Sequence, residues 1–185
     1  ELISQDSKSK DLIKPLVVGK DVSKWHLKEK NKYLIVTHIG VEIEDYPAVF
    51  NHLKKYQTKL ENRSDQGKHW WELRACTYYH VFGKPKIVFP DIAKKPRFAL
   101  DNKGFYAEAT AFIIPEDDLY LLAILNSSMS LDFFLEISAE VRGGYLRFKR
   151  QYLERFPIPP ATEEKKSAIS KLAQKCIDAK GVNCE

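Results

Sequence analysis

Short apolar runs rich in β-branched and aromatic residues alternate along this chain with longer segments in which apolar residues recur every three or four positions. The first kind of pattern reads as strand and the second as helix. After a polar stretch, residues 1–10, that reads as a linker, Leu12–Gly19 (LIKPLVVG) and Lys32–Thr37 (KYLIVT) read as strands. The helical period is clearest over Asp45–Arg63, where Val49, Phe50, Leu53, Tyr56 and Leu60 share one face and Lys54, Lys55 and Lys59 the other. Asp45 is placed to cap this helix, and Pro47 suits its first turn, where a missing N–H costs nothing. In His69–Leu73 (HWWEL) two adjacent tryptophans imply one core anchor and one partly exposed ring.

Further on, Pro85–Ile92, Arg97–Asp101 and Phe105–Pro115 read as strands, with Asp101–Gly104 (DNKG) as the turn of a hairpin joining the last two. Asp117–Ser127 and Ser130–Val141 read as mostly buried helices, capped by Asp117 or Asp118 and by Ser130. Glu163–Lys180 aligns Ile169, Leu172, Cys176 and Ile177 on one stripe, which needs a partner that the rest of a longer chain would supply. Hairpins and helices without regular β–α alternation predict an α+β fold: a twisted, mainly antiparallel sheet with packed helices. The expected domain covers 11–160, and 161–185 starts a C-terminal helix. The chain starts at Glu1 and stops at Glu185 just past a helix-like run, so it reads as a piece of something larger.

Composition sharpens this picture in one respect. The 185 residues are 44% hydrophobic and carry a net charge of +5, enough apolar content for a packed core. The positive charge is concentrated. Lys84, Lys86, Lys94, Lys95, Arg97 and Lys103 face only Asp91 and Asp101 within their stretch. Arg142, Arg147, Lys149, Arg150 and Arg155 face only Glu154 in theirs. These two stretches exceed the charge of the whole chain, so the remainder is net negative. Such a distribution suits a polyanion-binding face, and chance clustering on a solvated surface is the competing explanation. Three cysteines without CxxC spacing and no secretory signal predict free thiols in a reducing cytoplasm. The longest apolar runs, such as Leu119–Leu125, are too short to span a bilayer.

Catalytic signatures are missing from the text. There is no P-loop or GxGxxG. His26, His38, His52, His69 and His80 are scattered without metal-ligand spacing. The acids of Glu42–Asp45 are explained by the dipole of the helix that follows. Pro90–Lys95 (PDIAKK) superficially resembles a nuclease proline-aspartate, but the second acid followed by x-Lys is absent. No catalytic and no metal-binding residue is predicted. A basic, aromatic-containing chain of this kind reads as a binding module whose Lys and Arg meet phosphates. The stretch RGGYLRFKR fits that role: Gly143 and Gly144 permit positive φ and close backbone approach, and Arg147, Lys149 and Arg150 supply charge. Tyr145 and Phe148 pack beneath this loop or face a sugar or base.

The sequence resembles the TaqI-like C-terminal specificity domain, the target-recognition domain of type IIG restriction–modification enzymes and of related adenine-specific DNA methyltransferases, including those of phage-defence systems. The resemblance begins at LIKPLVVGKDVSKW (Leu12–Trp25) and runs through Tyr33–Leu53 and WWELR. It is strongest in KPKIVFPDIAKKPRFALD (Lys84–Asp101) and YLLAILNS (Tyr120–Ser127), and closes with Arg142–Pro159. It implies a parent with an amino-terminal methyltransferase domain using S-adenosylmethionine, with or without a nuclease domain. The Asn-Pro-Pro-Tyr/Phe loop that holds a flipped adenine is absent here, so this chain would neither methylate nor cut. It would choose the duplex DNA sequence on which the parent acts.

The residues expected to face DNA are Lys86, Lys94, Lys95 and Arg97 in the first basic stretch and Arg142, Gly143, Gly144, Arg147, Lys149 and Arg150 in the second. Lys20 and Lys24 in GKDVSKW are added to them. The proline-rich tail also resembles type I specificity subunits, a second possibility within the same class. A stand-alone enzyme and a protein-interaction module with an acidic partner are the readings from other classes.

Overall fold

The computed structural model describes residues 1–184. The chain packs as two compact units, one formed by Glu1–Leu16 with Asn31–Val81, the other by Val17–Lys30 with everything from Phe82 onward. In the first unit, residues 1–10 are largely helical: α1 (Leu2–Gln5) is followed by a 3-10 turn over Ser7–Asp11. β1 (Ile13–Val17) and β2 (Tyr33–Ile35) form where the apolar runs predict them and pair antiparallel, Ile13 opposite Ile35 and Lys14 opposite Leu34.

The long amphipathic segment forms two helices, not one. α2 (Pro47–Lys54) ends at Lys55, and α3 (Gln57–Glu61) restarts after Tyr56, which is 48% exposed. Pro47 does sit in the first turn. Asp45, however, caps nothing; it lies in a 3-10 turn over Ile43–Asp45, and Tyr46 takes the N-cap position without a side-chain bond. That turn buries Ile43 with Leu12 and Val49 as the core of this unit and leaves Asp45 exposed. Both tryptophans of HWWEL are half-buried; Trp71 meets Phe50 edge-on at 6.0 Å and stacks on His69 at 4.5 Å.

Beyond α4 (Tyr79–Phe82), the second unit is built around β3 (Lys86–Pro90), all of whose residues are buried. The strands that follow are β4 (Ile92–Ala93), β5 (Ala99–Asp101), β6 (Tyr106–Ala107) and β7 (Ala111–Ile114). β3 lies between β5 and β7, antiparallel to both: Lys86 stands opposite Asp101 and Val88 opposite Ile113. The hairpin expected around Asp101–Gly104 therefore does not form. The Asp101 carboxylate accepts the N–H groups of Lys103 and Phe105 at 2.8 Å each, and Gly104 has φ +72. This turn leads the chain away from β5, and Phe105–Pro115 divides into β6 and β7.

α5 (Leu119–Leu125) is capped as expected by Asp118, whose carboxylate accepts the N–H groups of Tyr120 and Leu121. α6 (Ser128–Ile137) starts earlier than its text suggests, so Ser130 is buried inside it and is not its cap. The Ser127 hydroxyl, at the N-cap position, turns back to the Ile124 carbonyl. β8 (Glu140–Val141), β9 (Tyr145–Arg147) and α7 (Arg150–Leu153) precede α8 (Glu163–Asp178).

α8 finds its partner within the same unit. It packs on α5 through Ala173, Cys176 and Ile177, while Leu172 is 60% exposed. Ile169, Cys176 and Ile177 of the expected stripe are half-buried, and Ala173 takes the buried place expected of Leu172. Phe134, Phe148 and Phe156 complete this core, Phe134 lying 4.7 Å from Phe148 and stacking on Phe156 at 6.0 Å. The fold is α+β, with antiparallel strands shared among small sheets. The three cysteines are free thiols. Among the described residues no single helix is long and apolar enough to cross a membrane.

Candidate nucleic-acid interface

The second unit contains a small antiparallel sheet in the order β4–β9–β8 that joins the two basic stretches. Ile92 pairs with Arg147 and Ala93 with Leu146, while Val141 pairs with Tyr145 across the hairpin. The reason lies in the period of the strand. Leu146 and Phe148 point inward, 3% and 1% exposed, so Tyr145, Arg147 and Lys149 are turned outward. The hairpin closes over Arg142, Gly143 and Gly144, and the two glycines take φ +90 and +74. Only glycine adopts such angles at little cost, which accounts for the pair at this position.

Most of the residues expected to face DNA collect here. Lys94 and Lys95, both exposed, follow β4 directly. The Lys94 ammonium stands 5.3 Å over the ring of Tyr145, itself 39% exposed, and Phe148 alone of the two aromatics packs beneath the loop. Arg97 is half-buried, and its Nε has no hydrogen-bond partner. Burial holds its guanidinium below the ordinary arginine pKa, and Tyr145 acts in the opposite direction. Arg142 and Arg150 are exposed, the latter pairing with Glu154 at 2.5 Å. Lys149 occupies the N-cap position of α7. Lys24 lines a cleft with Lys95, and Lys20 is exposed on a 3-10 turn over Gly19–Asp21. The Gly19 N–H is clamped to Thr110 Oγ1 at 2.9 Å, and a Cβ at Gly19 would meet the Thr110 carbonyl oxygen at 2.3 Å.

Lys86 does not belong to this face. Its side chain is closed to solvent, ion-paired with Asp101, and donates to the carbonyls of Phe82 at 2.6 Å and Lys84 at 3.3 Å. A fully buried ammonium cannot reach a phosphate. In this fold Lys86 neutralises Asp101.

Three residues not expected at the site lie against the basic segments. Asp91 Oδ2 meets Arg147 Nη1 at 3.4 Å, and its backbone accepts the Phe148 N–H at 2.7 Å. The Ser138 hydroxyl accepts the Arg147 N–H at 2.9 Å and donates to the Arg147 carbonyl at 2.8 Å. Asn126, buried at the end of α5, brackets Phe98 in the same way: its Oδ1 accepts the Phe98 N–H and its Nδ2 donates to the Phe98 carbonyl. The only signal for Asn126 in the sequence is its place in YLLAILNS. Among the described residues no group of His, Cys, Asp or Glu is arranged to hold a metal ion. The arrangement is therefore a cationic, aromatic-bearing surface on a rigid sheet, suited to a polyanion.

The sequence profile of the TaqI-like C-terminal specificity domain matches residues 14–158. The Type II methyltransferase M.PaeR7I of Pseudomonas aeruginosa is 27% identical over 180 residues, covering 88% of this chain and 30% of that protein. M.BstVI of Geobacillus stearothermophilus is 24% identical over 160 residues, covering 80% of this chain and 28% of its own length. The chain thus spans about a third of the curated relatives it matches. Among solved structures, the Type IIL restriction-modification enzyme MmeI in complex with DNA superposes with a TM-score of 0.69 over 96% of this chain and 24% of that one, at 14% identity, a likeness of fold. On the match that covers most of its length, the chain belongs to the TaqI-like C-terminal specificity domain family.

Proposed function

We propose that this chain recognises duplex DNA in a sequence-specific manner, as the specificity domain of a larger adenine-N6 DNA methyltransferase of a restriction–modification or phage-defence system. The observation that supports the reading is the β4–β9–β8 sheet, which brings the strand ahead of Lys94 and Lys95 beside the strand that carries Arg147 and sets the Lys94 ammonium over the Tyr145 ring. Lysines there hold the phosphate backbone, and the hairpin fixes the register of the duplex. The chain lacks a cofactor-binding glycine motif and an Asn-Pro-Pro-Tyr-type loop. Methyl transfer from S-adenosylmethionine is accordingly assigned to the remainder of the parent, which this chain would steer to its target. The packing of α8 back onto α5 supports the methyltransferase reading over a type I subunit, in which the helix would leave the domain as a spacer.

The test is to express the full-length parent in a host free of DNA methylation and to map modified bases by single-molecule sequencing. The expected result is one short motif carrying N6-methyladenine. Modified cytosine, or modification without any motif, contradicts the proposal.

A further inference from the structure

Arg147 differs from the other basic residues of the face in how it is held. Lys94, Lys95, Arg142 and Arg150 are exposed. Arg147 has 34% of its side chain accessible and is gripped at two levels. The Ser138 hydroxyl occupies both its backbone N–H and its carbonyl, at 2.9 and 2.8 Å. Asp91 holds one end of the guanidinium at 3.4 Å. Among the described residues, no other side-chain bond engages that guanidinium. Its other N–H donors are therefore available beyond the pair.

Asp91 is as unusual as its partner. It is an acid within a basic face, where it weakens attraction for any polyanion. Its second oxygen, Oδ1, is buried and has no hydrogen-bond partner, which costs free energy in the folded protein. A phosphate contact needs neither feature, because a flexible cation suffices. A base-edge contact gains from a carboxylate beside the arginine, since a planar fork must be aimed and a pre-held side chain loses less freedom on binding.

We infer that Asp91 is a positioning residue that aims Arg147 at the edge of a guanine, making Arg147 a determinant of sequence specificity and not a phosphate clamp. The assignment rests on the DNA-recognition reading above and adds to it which residue reads and which one aims. Asp91 lowers the general affinity of the face and raises its selectivity at one base pair.

The experiment is selection from a pool of duplexes with a randomised centre by the full-length parent, wild type against Arg147→Lys, Arg147→Ala and Asp91→Ala. Binding to a random-sequence duplex is measured alongside, and thermal melting controls for folding. Arg147→Lys keeps the charge but loses the fork, so it should lose about ten- to a hundredfold discrimination at one G·C pair while its salt dependence is unchanged. Asp91→Ala should relax the same position and bind the random duplex more tightly than wild type. A purely structural ion pair would lower the melting temperature and leave base preference alone. Unchanged preference in folded Arg147→Lys overturns the inference by itself, even where Asp91→Ala fails to fold. So does a loss spread evenly over all positions. If the wild-type parent binds no duplex, the DNA-recognition reading falls, and this inference with it.

Discussion

Lys86 and Asp101 stand opposite each other in the β3–β5 register, and their side chains form an ion pair closed to solvent. Each has further partners: Lys86 donates to two carbonyls, and Asp101 accepts two backbone N–H groups. Removing one partner leaves a buried charge uncompensated. Lys86→Ala or Asp101→Ala should therefore destabilise the protein by about 3–5 kcal/mol, read by urea denaturation. The folded fraction of Lys86→Ala should bind DNA with the wild-type salt dependence. A shallower salt slope without loss of stability would return Lys86 to the interface.

The hairpin of the basic face depends on its glycines. Gly143 and Gly144 lie at φ +90 and +74. A valine at either position should cost about 1–2 kcal/mol and weaken DNA binding, because the strand bearing Arg147 starts one residue later. Asparagine at Gly144, where a Cβ would meet nothing within 4 Å, should be tolerated better. Thermal melting of the three variants ranks them directly.

The amide of Asn126 ties α5 to the backbone of Phe98, the residue after Arg97. Asn126→Leu keeps the branched shape of the side chain and removes both bonds. It should cost about 1–3 kcal/mol by leaving the buried Phe98 N–H without its acceptor. Native-state hydrogen exchange at the Phe98 amide should accelerate accordingly, while exchange at the core of β3 falls only with the global stability.

The Cys176 thiol is pushed up to about 11, mainly by burial and next by its hydrogen bond with Cys184. The reactive thiolate is therefore scarce near neutrality and grows about tenfold per pH unit until the pH passes that value. Iodoacetamide labelling followed by peptide mass spectrometry should show this steep rise at Cys176. A plateau reached near pH 9 would mean that the thiol is not shielded as the packing of α8 on α5 implies.

Much of this was legible where local rules decide the outcome. Asp118 caps α5 because a carboxylate ahead of an apolar run satisfies free N–H groups regardless of tertiary context. Phe148 packs beneath the loop, one of the two places its aromatic ring suggests, whereas the strand β9 that turns Leu146 and Phe148 inward is not legible in RGGYLRFKR. What stayed hidden depends on pairings between distant segments. Lys86 counts as surface charge until Asp101 is seen opposite it, and the DNKG turn looks like a hairpin until β3 takes both neighbouring strands. Asp91 reads as a stray acid, or a nuclease lookalike, until β9 brings Arg147 beside it. Asp45 looks like a cap until the burial of Ile43 turns it outward. A count of charges thus groups Lys86 with exposed cations such as Lys94 and Lys95, and only the fold sets it apart.

The central claim is that the surface built on β4, β9 and β8 holds duplex DNA. Equilibrium binding of the full-length protein to a duplex, titrated with salt, tests it most directly for wild type against the Lys94→Ala, Lys95→Ala double variant. Each phosphate contact contributes about −0.9 to the slope of log affinity against log salt, so the double variant should be shallower by about two units on cognate and random duplexes alike. An unchanged slope in the folded double variant, or no binding by the wild type at low salt, would contradict the account.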